Sequence, residues 1–494
     1  MSTPDDPPPD DPALDADVLV VGFGPTGATL AGLLARRGLR VVVVDRDTEL
    51  FPLPRAAQCD HEVLRILQEL GCADEVVAAT VLNDGLDFVA ADRSVLQSFT
   101  VPALARTGWP TSVFFHQPSF ETVLRRTVAD LGAEVRLGVG VGDLRQDAHG
   151  VTAELADGTR LRTRYAVGCD GARSATRKVI GTDLRDTGFE ESWLVVDLFL
   201  HEGATGLPTR CLQVCDPARP HTVVPMPAPR FRFEFMLLPG ESAEAISAPA
   251  SISELLASWL PAGTADVERS AVYTFHGLVA STWRDRRVLL AGDAAHQTPP
   301  FLGQGMCAGM RDAANLAWKL AAVVADGAPD ELLDTYQAER EPHAQVVIDV
   351  AVDFGRLICT TDPVAAAERD AAFRAAPAPR PGDEPPSPIP PLGPGPGVGP
   401  LGGDLSAQPH LAGERLDDVV GCGFALCTEE PLDLDSSEAT WWQAHGAVLD
   451  ARTHPELVPL LAGRPACAIR PDRYVLDRGP VADLTERARA LLGS

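Results

Sequence analysis

Long apolar runs are scarce in this sequence of 494 residues. None approaches the ~20 consecutive residues that a bilayer-spanning helix needs, and the strongest helical candidate, Leu316 to Ala325, carries Lys319. Basic charge is scarce too. Against 69 Asp and Glu stand 42 Lys and Arg, a formal net charge of -27 that would repel nucleic acid and anionic membrane surfaces, so neither is expected as a partner. Cysteine pairs with redox or metal spacing are missing. The ten cysteines are scattered, and the pairs Cys211/Cys215 and Cys422/Cys427 are neither CxxC nor half of a zinc set. Buried thiols in a reducing compartment and no metal site are expected. The start, Met1 to Asp11, is rich in proline and aspartate without the basic and apolar regions of a secretory signal. It reads as a disordered leader over residues 1–14 of a cytoplasmic protein.

What is present begins with Asp17-Val-Leu-Val-Val-Gly-Phe-Gly-Pro-Thr-Gly27. Val18 to Val21 read as a buried parallel strand, and Ala28 to Arg37 as the helix that follows. Between them Gly22 permits a tight turn, Gly24 admits a pyrophosphate, and Gly27 lets helix pack on strand, leaving the helix N-terminus to face phosphates. A second strand, Arg40 to Val44, ends on Asp45, about twenty residues past the glycines, where a carboxylate would accept the ribose hydroxyls.

Further along, Arg55 lies in a proline-bounded loop before a helical pattern marked by Val63, Ile66, Leu67 and Leu70, and Gln117 stands at a strand-to-helix junction. Arg55 could pair with a pyrophosphate, reach a neighbouring ring of a bound ligand, or be an ordinary surface arginine. Strand patterns at Glu134 to Leu137, Val151 to Leu155 and Arg160 to Ala166 lead into Cys169-Asp170-Gly171 and a helix start. From Glu190 to about Val272 the character turns β-branched and aromatic, as in an inserted antiparallel sheet. Phe231, Phe233, Phe235 and Leu237 alternate onto one face, which suits a core or a wall around an aromatic substrate. Nucleotide-binding grammar then returns in a strand ending at Gly292-Asp293, followed by Pro300, Gly303-Gln-Gly305 and Met306 at the start of a helix whose dipole would favour an anionic ring. A proline and glycine tract, Ala376 to Gly403, reads as linker. Its Gly393-Pro-Gly-Pro-Gly run has no strand before it and is no second nucleotide site. The final residues look like a small α/β domain without catalytic pairings, expected to serve stability or assembly.

Three motifs together, Gly22 to Gly27, Cys169-Asp-Gly171 and Gly292-Asp-Ala-Ala-His296, resemble the flavin signatures of the single-component FAD-dependent aromatic hydroxylases, the family of p-hydroxybenzoate hydroxylase and phenol hydroxylase. Cys215-Asp-Pro-Ala-Arg-Pro220, Arg232-Phe-Glu-Phe-Met236 and Gly309-Met-Arg-Asp-Ala313 are most similar to its 3-(3-hydroxyphenyl)propionate hydroxylases. The resemblance implies an α/β fold. A Rossmann-like FAD-binding domain (15–185 and 275–355) would carry an inserted, mostly antiparallel substrate sheet (186–274), a linker (356–404) and a C-terminal thioredoxin-like domain (405–494). It implies FAD held by Gly22, Gly24, Pro25, Thr26, Gly27, Asp45, Arg46, Arg55, Gln117, Asp170, Gly292, Asp293, Pro300, Gly303, Gly305 and Met306.

The activity so implied is hydroxylation of a phenolic ring through a flavin C4a-hydroperoxide, with O2 as oxidant and NADH or NADPH as transient donor. A 3-(3-hydroxyphenyl)propionate or related hydroxyaryl acid is the expected substrate and a larger polyketide-like aromatic the alternative; a homodimer is possible. His116, His221, Tyr273 and His296 are candidates for assisting phenol deprotonation. Cys307 departs from the pattern, since many relatives carry asparagine there. A flavin halogenase is disfavoured by the lack of a Trp-x-Trp-x-Ile-Pro segment, and a non-catalytic FAD carrier by the inserted sheet.

Overall fold

A computed structural model describes residues 14–376, 387–433 and 436–493. The expected leader, apart from Leu14, and residues 377–386 of the expected linker lie outside the described residues. Among them no helix is long and apolar enough to cross a membrane.

The first layer grows from the strand Ala16–Val21, in which Val18, Leu19 and Val20 are fully buried. Such a strand needs apolar cover on both faces, as parallel sheets provide. It pairs in parallel with Val41–Asp45 and Arg160–Gly168, and Glu134–Leu137 and Val288–Leu290 extend the sheet on either side. Val141–Gln146 and Val151–Leu155 complete an antiparallel meander with Arg160–Gly168; the first of these strands has no clear pattern in the sequence. Helices Pro25–Arg36 and Gly305–Ala325 pack together on this sheet. Two glycines make that packing possible. Gly22 sits at φ +102°, and a Cβ there would strike the Cys169 carbonyl; a Cβ on Gly27 would strike the Gly22 carbonyl.

The second layer is an eight-stranded sheet in the order His296–Gln297, Ala265–Ala280, Leu184–Leu200, Arg230–Met236, His221–Pro225, Cys211–Val214, Gly85–Val89 and Val95–Thr100. It is antiparallel except where Cys211–Val214 runs parallel to Gly85–Val89. The sheet is therefore not one contiguous insertion. Its last hairpin comes from a segment that the sequence places in the nucleotide-binding half, because strand partners over a hundred residues apart leave no local trace.

Phe231, Phe233 and Phe235 face away from the first layer, where they form a core with Ile246, Ile252 and Leu260 under two short helices. The opposite face of that strand carries Arg232 and Glu234. The aromatic face is thus core and not substrate wall.

The C-terminal sheet orders Gly446–Asp450, Phe424–Thr428, Ala466–Ile469 and Val475–Gly479, with the first pair parallel and the others antiparallel. With helices Ser437–His445 and Val481–Leu492 this is a thioredoxin-like arrangement. It is riveted to the rest by a buried cluster: Arg470 donates to Glu339 at 2.8 Å, Lys319 donates to Glu339 at 2.9 Å, and Asn315 donates to Asp472 at 3.0 Å. The described end of the proline and glycine tract is no free tether. Leu392 and Val398 are buried against Tyr474, and Gly399 and Gly403 donate to the Leu476 and Val475 carbonyls at 2.7 and 2.9 Å.

Candidate active site

Between the two large sheets runs a cavity of about 2040 Å³. One end is made by the glycine turn. Gly22, Gly24, Pro25 and Thr26 line it, and helix Pro25–Arg36 begins there without a side-chain cap, so its first N–H groups remain for a ligand. A Cβ on Gly24 would meet nothing within 4 Å, which leaves the backbone approachable. Asp45 closes the same end, its Oδ2 accepting from the Phe23 N–H at 2.6 Å, with Arg46 beside it on the lining. Gln117 lines this wall and donates to Glu121, while its own Oε1 is buried without a partner. Burial pushes the Glu121 carboxyl above its ordinary pKa. A buried acceptor with no donor, beside uncapped helix ends, is what an incoming nucleotide would complete.

Arg55 and Asp293, both on the lining, form an ion pair at 3.0 Å. Pro300, Gly303, Gly305 and Met306 line the same cavity, where helix Gly305–Ala325 also starts without a side-chain cap. These residues suit an FAD, for which Gly24 and Pro25 would hold the diphosphate, Asp45 the ribose, Asp293 the ribityl chain and the turn ending in Met306 the ring.

Two expected cofactor residues do not line the cavity. Gly27 serves helix packing, as above, and Gly292 sits at φ +62° against Thr26, where a side chain would not fit. Asp170 does line it, but its carboxylate is engaged by the N–H groups of Ala175 and Thr176 at 2.7 and 3.0 Å, so it caps a short helix. Cys307 is fully buried, its thiol directed at the carbonyls of Gln58 and Gly303, off the cavity lining.

The four deprotonation candidates separate cleanly. Tyr273 lines the cavity, and its hydroxyl is buried without a hydrogen-bond partner. Burial pushes its pKa up, against the opposing pull of Arg55, Arg232 and Arg269. The three histidines lie off the lining, and each is occupied by structural contacts. His116 bonds Ser119 at 2.9 Å, with burial and then Arg230 and Arg269 holding its pKa down to about 4. His221 bonds the Arg219 carbonyl and stacks on Phe235. His296 meets Asp312 at 2.7 Å, and Asp312 also accepts from the Gly292 N–H at 3.0 Å, so this histidine supports the Gly292-Asp293 turn.

Several lining residues were not singled out from sequence. On the far sheet these are Gln213, Thr222, Arg232 and Glu234; near the Gly303–Gly305 turn, Arg311 and Tyr474. Arg232 donates to Asp197 at 2.6 Å, and Asp197, which burial would raise, is held below the usual carboxylate range by Arg232 and Arg269. Arg311 reaches Asp60, Glu62 at 2.5 Å and Gln304 at 2.9 Å, tying the helix after Asp60 to the Gly303–Gly305 turn. The strict alternation of residues 230–236 was the signal for Arg232 and Glu234, since one face of a strand implies the other.

Comparison with known proteins bears on the fold and the family. A family model described as FAD binding domain matches residues 15–351. The chain is 44% identical over 367 residues to a probable NADH-specific resorcinol 4-hydroxylase of Rhodococcus jostii, covering 73% of this chain and 69% of that protein. It is 39% identical over 458 residues to a 3-(3-hydroxy-phenyl)propionate/3-hydroxycinnamic acid hydroxylase of Mycobacterium sp. strain JLS, covering 88% and 80%. Among solved structures, aklavinone-11 hydroxylase in complex with FAD and aklavinone superposes with a TM-score of 0.80 at 26% identity, covering 98% of this chain and 100% of that one. The OxyS anhydrotetracycline hydroxylase of Streptomyces rimosus superposes at 0.75, also with 26% identity, covering 97% and 99%.

Proposed function

The chain belongs to the FAD-dependent aromatic hydroxylases, and from that premise we propose that it inserts one oxygen atom of O2 into a phenolic ring held between Tyr273 and the Pro300–Met306 turn. NADH or NADPH supplies two electrons, and the second oxygen atom leaves as water. The observation that carries the placement is the Tyr273 hydroxyl, buried, unpartnered and on the same cavity as Asp293 and Gly303. A phenolic oxygen is the partner it lacks.

When bound, FAD accepts hydride from the nicotinamide and activates O2. This chain's residues do the rest. Tyr273 orients the phenol and shares its proton; Arg55, Arg232 and Arg269 add positive potential that favours phenolate near it. Val195, Val224, Phe114 and Phe275 keep water from the ring.

The relatives' names offer two substrate types, a neutral dihydroxybenzene and a hydroxyaryl acid. Incubating the FAD-loaded protein with NADH or NADPH under 18O2 and a panel of phenols tests the reading. A product heavier by one labelled oxygen is expected. Nicotinamide oxidation that yields only hydrogen peroxide with every phenol would leave a flavin carrier instead.

A further inference from the structure

The sheet wall of the cavity carries a polar row set by strand register. Gln213 pairs with Thr222 and Thr222 with Glu234 across three neighbouring strands, and all three line the cavity. On the next two strands the row continues as Val195 and Ala271, which are apolar. Thr222 donates its hydroxyl proton to the Gln213 carbonyl oxygen at 2.6 Å, leaving the Gln213 amide N–H groups and the Thr222 lone pairs unused.

Glu234 ends the row with acceptor capacity to spare. Its nearest cation is Arg232 at 3.5 Å, and that guanidinium is already held by both oxygens of Asp197 and by the Arg55 carbonyl. Burial pushes the Glu234 carboxyl above its ordinary pKa.

The charge balance at this end decides what can bind. Arg232 and Arg269 share Asp197, Arg210 is held by Asp84 and Asp87, and Arg55 is held by Asp293. With these cations committed, none beside Glu234 is free to pair an incoming carboxylate. Among the described residues Arg46, Arg106 and Arg173 also line the cavity without an ion pair, but all three are exposed, and Arg46 and Arg173 follow Asp45 and the Asp170-Gly171 turn on the nucleotide side. A hydroxyl group, by contrast, would donate to Glu234 and accept from Gln213.

Resting on the hydroxylase reading, we infer that Glu234, with Thr222 and Gln213, is the contact for a second hydroxyl of the substrate, so that the preferred ring is a neutral polyhydroxylated benzene and not an aryl carboxylate. One hydroxyl meets Tyr273 and the other meets the row. A site built to bond a hydroxyl discriminates strongly against a substrate lacking it, because its own polar groups are then left unpaired.

The test measures kcat/KM of the FAD-loaded wild type, Glu234→Gln and Thr222→Val with 1,3-dihydroxybenzene, phenol and 3-(3-hydroxyphenyl)propionate. The wild type is expected to prefer the dihydroxybenzene. Glu234→Gln should lower its kcat/KM by about 10–100-fold, mainly through KM, as leaving a buried hydrogen-bonding group unpaired implies. It should change phenol little and improve the propionate. Thr222→Val, read with flavin absorbance as a check on folding, should weaken the dihydroxybenzene in the same direction. A wild type that prefers the propionate, or variants that slow all three phenols equally, would overturn the inference while leaving the hydroxylase reading intact. Absence of hydroxylated product from every phenol would overturn both.

Discussion

Tyr474, in the C-terminal thioredoxin-like unit, donates its buried hydroxyl to Glu62 Oε1 at 2.7 Å, and the other oxygen of Glu62 receives Arg311 at 2.5 Å. Through Gln304, Arg311 touches the turn that borders the flavin site. The sequence suggested stability or assembly for this C-terminal region, yet Tyr474, Leu405 and Ser406 line the cavity. Tyr474→Phe should cost about 1.5–3 kcal/mol, the range for a hydrogen bond to a charged group, and should raise peroxide release per NADH oxidised. Urea denaturation and peroxide assay read the two effects separately. Unchanged coupling would confine Tyr474 to a stabilising role.

Asp293→Ala should lower the FAD content of the purified protein. It removes an acceptor from the cavity lining, a loss on the order of 1–3 kcal/mol where a ligand hydroxyl is left buried and unpaired, while the 3.0 Å pair with Arg55 that it also breaks is partly exposed and contributes little. The ratio of flavin to protein absorbance gives the answer, and full occupancy would argue against the ribityl placement.

Gly27→Ala should be worse than its size suggests. The added methyl would strike the Gly22 carbonyl and press on Cys169, and overpacking of this kind costs about 1–3 kcal/mol. A lower Tm together with weaker FAD binding is expected; Gly24→Ala, open on the cavity side, should affect FAD binding with little change in apoprotein Tm.

Acid should loosen the C-terminal unit first. Burial alone would raise the Glu339 pKa, but Arg470 and Lys319 override it and hold it down to about 2, against an ordinary 4.5. A depressed carboxylate stabilises the fold fully above pH 4.5 and loses that contribution as the pH falls toward 2. Glu339→Gln should flatten this acid limb and cost about 3–5 kcal/mol near neutrality, the range for breaking a buried ion pair from one side. Hydrogen exchange across residues 424–479 at pH 3 and pH 6 checks the locality of the effect.

The sequence by itself determined the nucleotide end. Strand, Gly22-x-Gly24-x-x-Gly27, helix, second strand and Asp45 form one contiguous unit, so local turn geometry and apolar periodicity suffice to describe it. The same holds for the Gly303–Gly305 turn, built from near neighbours in the chain, whereas the thioredoxin-like order of the last strands was implied only by the family resemblance. Only the tertiary structure decided the sheet-side wall of the cavity. Gln213, Thr222 and Glu234 meet by strand register, Tyr273 comes from another strand of the same sheet, and Tyr474 arrives from beyond the proline tract. Nothing local distinguishes Tyr273 from His116, His221 or His296; what separates them is which groups pack against each, and burial beside Asp312 or under Phe235 is a property of the folded chain. A strand's alternation shows that it has two faces, but the layers packed on each side choose which one meets the ligand.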